Sequence, residues 1–426
     1  MIQPKYQWGL LGPEKLASER RVRTLGVGAA VRTFNDLAVP GMGNVFFGKQ
    51  LFLATLGVAV AEGLRKDGIR AQNIETANAV EALACWLAFQ NNNWASDPRL
   101  RGVTKMRHRN MALLFADTRK RSFYVTQPMR MSTVQPLPAL GLVTSKSERF
   151  NAFRIAQLGQ NFVDSVCAGT SYYTKNVLEH LVDWASGKAK IGGGHDTLTE
   201  AISPVEPLPK KFRELLRSII VRGDDGKARR RKAILDWVER IISAGTSNES
   251  WSAKPLELDQ EHWTDLEAGA RFFETRDAAI ALLDEIECHI AMMESPKLDL
   301  HTASPSQIRE SCDGLAQLAQ EFLAMNHDPS PGQQAAAFCR DCLDARRVIE
   351  NLVQRDGRVL RLSSKSVVPG PAFRGTGANE AEPDEETPPD DSVNDGILPP
   401  YISRRVRNML LLSHDLHGNF DDYLNQ

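Results

Sequence analysis

Apolar residues recur along this chain at three- and four-residue spacings far more often than they alternate, which predicts a mostly helical protein. Residues 50–64 are apolar on most sides and read as a central helix. In 73–90, Ile74, Ala77, Val80, Leu83, Ala84 and Leu87 form one stripe of an amphipathic helix. Further helices are predicted over 148–168, 171–186, 210–220 and 227–243, with a polar linker at 244–252. The second half reads as long amphipathic helices at 264–293, 305–325 and 332–355, joined by short loops as in a bundle. Ser304 is placed to cap the middle one, with Pro305 at its first position and Gln307 reaching back. A final helix spans 400–417, with Ile402, Val406, Met409, Leu410 and Leu416 on its apolar face and Gly418 as its stop.

Residues 121–143 (RSFYVTQPMRMSTVQPLPALGLV) break this period. They are β-branched, aromatic and punctuated by proline, and predict one or two short strands or extended segments. The expected fold class is therefore mainly α, helical bundles with a small extended or β element near 121–143. The stretch 375–396 is acidic, rich in Pro and Gly, and holds one Val as its only large apolar residue. Such a segment cannot bury enough surface to offset its ordering entropy and reads as a disordered linker. Five segments are expected: a basic N-terminal domain, 1–147; a helical region with a basic helix, 148–250; an acidic helical bundle, 251–370; the disordered acidic linker, 371–396; and a tethered C-terminal helix, 397–426.

Composition adds a charge asymmetry. The net charge is −1, but residues 1–250 carry 36 Lys and Arg against 22 Asp and Glu, and the remainder carries 16 against 31. Either the first half meets an anionic partner or the two halves attract each other. The longest apolar run, 51–61, has 11 residues, about half of what crosses a bilayer. Neither a membrane span nor a signal peptide is expected, and six scattered cysteines make no disulfide framework. The expected compartment is the cytoplasm.

Candidate chemistry begins with GNVFFGKQ, residues 43–50, which matches the G-x-x-x-x-G-K spacing of a phosphate-binding loop. Gln50 stands where the Mg²⁺-binding hydroxyl belongs, Pro40 and Gly41 break any preceding strand, and Phe46 and Phe47 crowd the cradle. NTP binding through Gly43 and Lys49 is thus a remote alternative. The favoured reading makes the two Phe core anchors and puts Lys49 on the exposed side of the following helix. Cys339-Arg340-Asp341-Cys342 lacks a second ligand pair and reads as core packing. His414 and His417, one turn apart near a helix C-terminus, read as capping or solvated rather than metal-binding. The run Gly192-Gly193-Gly194-His195 reads as a connector. No metal or cofactor is expected, and no catalytic signature is present.

Two basic clusters carry the most information. Nine Lys and Arg lie between Arg99 and Arg130 against one acid, Asp117. If 101–114 is helical, Arg101, Lys105 and Arg109 recur on one face beside His108. Arg119, Lys120 and Arg121 then precede Phe123 and Tyr124, an arrangement suited to phosphates and stacked bases. The second cluster, Arg229, Arg230, Arg231 and Lys232, sits in the first turns of a helix and opposes its dipole. These ten cations are the nucleic-acid candidates; Ile402, Val406, Met409, Leu410 and Leu416 are the partner-docking candidates. The expected function is a non-catalytic helical interaction or adaptor subunit of a larger cytosolic multi-protein assembly. DNA or RNA binding through 99–130 and 227–232 is the alternative.

Overall fold

A computed structural model describes residues 23–424 apart from 108–112, 121, 169–170, 173–174, 192–195, 246–248, 302–304, 345 and 374–395. Ser304, His108, Arg109, Arg121, the Gly192–His195 run and nearly all of the expected linker therefore lie outside the described residues. The chain is mainly α. In order, the helices are α1 Gly28–Ala38, α2 Gly48–Lys66, α3 Asn73–Asn91, α4 Val103–Met106, α5 Phe115–Thr118, α6 Pro136–Ala139, α7 Gln157–Ala168, α8 Val177–Ser186 and α9 Asp196–Ile202. They continue as α10 Lys210–Ile220, α11 Gly226–Ala244, α12 Gln260–Ala291, α13 Ser306–Ala324, α14 Gln334–Cys342, α15 Val348–Asp356, α16 Arg404–His417 and α17 Phe420–Leu424. Among the described residues, three small antiparallel sheets accompany them: β1 Val143–Thr144 with β2 Arg154–Ile155, β3 Ser171–Tyr172 with β4 Lys175–Asn176, and β5 Leu298–Asp299 with β6 Leu360–Ser363 and β7 Ser366–Pro369 in the order β5-β7-β6.

The described residues form two compact units. One comprises 23–31 and 271–373, the other 32–270 and 396–424. In the first, Phe272 packs at 5.9 Å from Phe322 and edge-on at 6.2 Å from Phe338. The Arg23 guanidinium is held there by Glu287 at 2.8 Å.

The second unit is built around α2. Almost all of that helix is buried, as its all-round apolar character predicts. α3 crosses it at Gly57, where an added Cβ would lie 2.5 Å from the Cα of Ala77. The Thr76 hydroxyl, one residue along, donates to the Gly57 carbonyl at 2.8 Å. α7, α8 and the 3₁₀ turn Met129–Thr133 pack on other sides of α2, and α16 packs on α10 and α11. Asn176 and Glu179 form a reciprocal capping box on α8, Asp225 caps α11 through Ala228 N–H, and Gly418, the expected stop, ends α16 at φ +81°.

Several expected elements change. The 121–143 segment holds the 3₁₀ turn and α6, and β1 is its only strand among the described residues. Helices expected from 148 and 171 begin at Gln157 and Val177, after short antiparallel pairs. The 332–355 helix divides into α14 and α15, because Asp344 turns the chain between them. Its carboxylate accepts from Arg346 N–H at 3.0 Å and its carbonyl from Val348 N–H at 2.8 Å. α13 starts at Ser306, one residue after Pro305, which takes the capping position itself. Of the expected 101–114 helix, only Val103–Met106 is helical among the described residues.

Candidate functional site

The GNVFFGKQ loop folds as a core anchor. Phe46 and Phe47 are buried and meet edge-on at 4.9 Å. Two of its amides are already spent: Phe46 N–H donates to Gln50 Oε1 at 2.8 Å and Gly48 N–H to Asp415 Oδ2 at 2.8 Å. Nothing here cradles a phosphate. Lys49 is not exposed, as the sequence suggested, but 2% accessible. Its ammonium donates to the carbonyls of Glu200, at 3.1 Å, and Ala201, closing the C-terminal turn of α9. Burial pulls its pKa down to about 8, against the opposing field of Asp415 and Glu206. Asp415, from α16, is the matching anion at the N-terminus of α2, with its carboxyl pKa raised by burial and lowered in part by Gly48 N–H.

A second buried polar group sits on α3. Glu81 accepts the N–H groups of Met129 and Arg130, capping the 3₁₀ turn. Burial raises its carboxyl to about 7. Nearby, the Tyr124 hydroxyl lies 3.3 Å from Cys85 Sγ, and burial raises that thiol to about 12. These side chains are sealed in the core and tie elements together. Sequence reading passed over Glu81 and Asp415, whose only signal is an acid inside an otherwise apolar helical stripe.

The basic clusters are partly spent inside the fold. Arg231 is 4% exposed and donates to the carbonyls of Ile220 at 2.8 Å, Pro40 at 3.4 Å and Arg222 at 3.4 Å. Arg230 pairs with Asp265 at 2.6 Å and Glu261 at 3.0 Å. Lys232 pairs with Asp236, one turn along the helix. Arg229 alone of the four faces solvent without an ion pair among the described residues. In the first cluster, Arg101 is buried and Lys105 exposed. Arg119 pairs with Glu75 at 3.4 Å and Lys120 with Asp117 at 2.7 Å, both at the surface. Arg109 and Arg121 lie outside the described residues. Phe123 and Tyr124, read as stacking aromatics, are core residues at 3% and 0% exposure.

The partner-docking face of α16 is equally internal. Ile402, Val406, Met409, Leu410 and Leu416 all belong to the main core of the second unit. Arg405 fixes the same helix through Asp36 at 2.8 Å and Gln135 at 2.6 Å.

The remaining chemistry is structural in character. Cys339 and Cys342 are buried, with thiols pushed up by burial, the latter to about 12. His414 stacks on Tyr423 at 4.3 Å, and His417 Nδ1 lies 2.7 Å from the Ser413 carbonyl. Among the described residues, no group of His, Cys, Asp and Glu is arranged to hold a metal ion, and no helix is long and apolar enough to cross a membrane.

One cleft of about 710 Å³ opens within the second unit, between the end of α3, the 96–99 loop, α9 with residues 205–207, and α17. Arg99 stands in its wall, clamped by Asp97 at 2.8 Å and by Asp421, and its guanidinium also donates to the Val205 carbonyl at 3.0 Å. Comparison with protein-family models, curated proteins and solved structures finds no match to this chain.

Proposed function

We propose that this protein is a helical subunit of a larger assembly, acting by holding protein partners rather than by breaking bonds. The observation that carries this reading is the fate of the basic clusters. Arg230 is engaged by Asp265 and Glu261 of the acidic half, and Arg231 is consumed by three backbone carbonyls. Part of the positive charge that favoured a nucleic acid is thus answered within the chain. The strongly shifted groups support the same view. Lys49, Glu81 and Asp415 each close a helix end inside the core.

Nucleic-acid binding is the second reading, and it now rests on the solvent-facing cations Lys105, Arg119, Lys120 and Arg229. Affinity capture of the full chain with and without nuclease separates the two. Protein partners that persist after nuclease support the first reading; recovery of nucleic acid alone overturns it.

A further inference from the structure

The carbonyls that end α1 are held by side chains from three other helices. Arg230 of α11 donates to the Leu37 carbonyl at 3.1 Å, and Arg405 of α16 donates to the Val39 carbonyl at 3.1 Å. Between them, His262 Nε2 of α12 lies 2.9 Å from the Ala38 carbonyl. Arg231 of α11 reaches the next carbonyl, that of Pro40, at 3.4 Å. A helix leaves its last carbonyls without intrahelical partners, and cations suit that negative end. This collar closes four carbonyls in succession and ties α11, α12 and α16 to the end of α1.

Three of the four donors are guanidiniums, which keep their charge at any working pH. His262 is the one whose charge changes between about pH 5 and 8. A carbonyl only accepts, so Nε2 carries a proton, and the neutral ring already makes this bond. A second proton, on Nδ1, adds a charge to a residue that is 1% exposed. That charge stands beside the Arg230 guanidinium and at the third residue of α12, near the positive end of the helix. Arg231 and Arg405 bring two more cations to the same run of carbonyls. The anions around the collar are already engaged. Asp265 and Glu261 pair with Arg230 at 2.6 Å and 3.0 Å, Asp259 accepts the His262 backbone N–H at 2.7 Å, and Asp36 accepts from Arg405 at 2.8 Å. The balance holds the ring's pKa below its ordinary 6.5. Burial pulls it down first, the Ala38 carbonyl pulls it up, and Arg230 pulls it down against Asp259 and Asp265.

We propose that this collar is a latch that acid opens: the His262 ring leaves Ala38 to take up its second proton, and the first turn of α12 parts from the end of α1. The released ring holds a proton that the latched ring does not. The latched state is therefore fully favoured above pH 6.5 and loses ground as pH falls below it.

Hydrogen–deuterium exchange of the full-length protein, read by mass spectrometry from about pH 7.5 to 5 and corrected for intrinsic rates, tests this. The expected result is a loss of protection in peptides 36–42 and 259–264. Below pH 6.5 it should approach tenfold per pH unit, the slope of a single proton. Peptide 51–61, in the buried α2, should keep its protection over the same range. His262→Gln, whose amide still donates to Ala38 but cannot charge, should abolish the slope. If that variant does not fold, the comparison of peptides within the wild type decides. No acid-dependent loss at 36–42 and 259–264, an equal loss at 51–61, or an unchanged slope in His262→Gln would each overturn the latch.

Discussion

The carboxylate of Asp415 accepts the N–H of Gly48 at 2.8 Å, so the last long helix of the chain closes the N-terminus of its most buried one. A Cβ at Gly48 would come within 2.7 Å of Leu216 and 3.2 Å of that carboxylate, so the approach depends on glycine. Asp415→Ala leaves a buried amide unpaired and should cost about 1–3 kcal/mol in urea unfolding. Asp415→Asn keeps an acceptor and should be milder. Equal stability of the alanine variant and the wild type would remove α16 from this role.

Glu81 and Lys49 should give the stability curve two opposite slopes. Burial raises Glu81 from 4.5 to about 7, so the folded protein holds a proton that the unfolded chain releases. Its contribution therefore falls as pH rises from about 4.5 to 7 and stays low above that. Burial lowers Lys49 from 10.5 to about 8, so the unfolded chain holds the extra proton. Stability from this group rises between about pH 8 and 10.5. Glu81→Gln should flatten the first slope and Lys49→Met the second, in denaturant midpoints measured across pH.

Arg231 and Arg229 should part company although they are two residues apart. Arg231→Ala removes a buried guanidinium bonded to three carbonyls and should destabilise the fold by roughly 2–4 kcal/mol. Arg229→Ala, at an exposed position, should stay within about 0.5 kcal/mol. Loss of nucleic-acid affinity in a variant of the whole cluster would therefore reflect unfolding unless Arg229→Ala alone shows it.

Gly57→Val should be among the most damaging single changes. A Cβ there already lies 2.5 Å from the Cα of Ala77, so α2 and α3 must separate, at about 1–3 kcal/mol or more. A thermal midpoint unchanged from wild type would show that these helices do not pack as described.

Leu410→Ala should cost about 2–5 kcal/mol, because the side chain is 1% exposed inside the main core. The same burial makes removal of 397–426 a folding defect before it is a binding defect. Chemical unfolding of the substituted chain, compared with wild type, checks this.

The sequence made some elements legible because local and tertiary signals agree there. α10 occupies Lys210–Ile220, the residues its apolar spacing predicts, and α3 begins at the expected Asn73. Phe46 and Phe47 were readable as anchors because two adjacent aromatics suit a core better than a phosphate. The break between α14 and α15 was not legible, since the apolar stripe continues through it and only the side-chain turn at Asp344 divides it. Lys49 was misplaced for a related reason: helical periodicity assigns a lysine to water, and the two carbonyls that hold it come from α9, some 150 residues away. The basic clusters were legible only as positions along the chain. Linear spacing records where cations are, but Arg230 and Arg231 find their partners only in three dimensions. The cleft between the ends of α3, α9 and α17 left no linear signature, because its lining comes from four separate stretches.

The most direct test of a protein-binding role is affinity capture of the tagged full-length chain from its native cell extract, before and after nuclease digestion, followed by mass spectrometry. The expected result is one defined set of protein partners, in fixed ratio, unchanged by nuclease. Capture of nucleic acid with no protein that survives digestion would contradict the role.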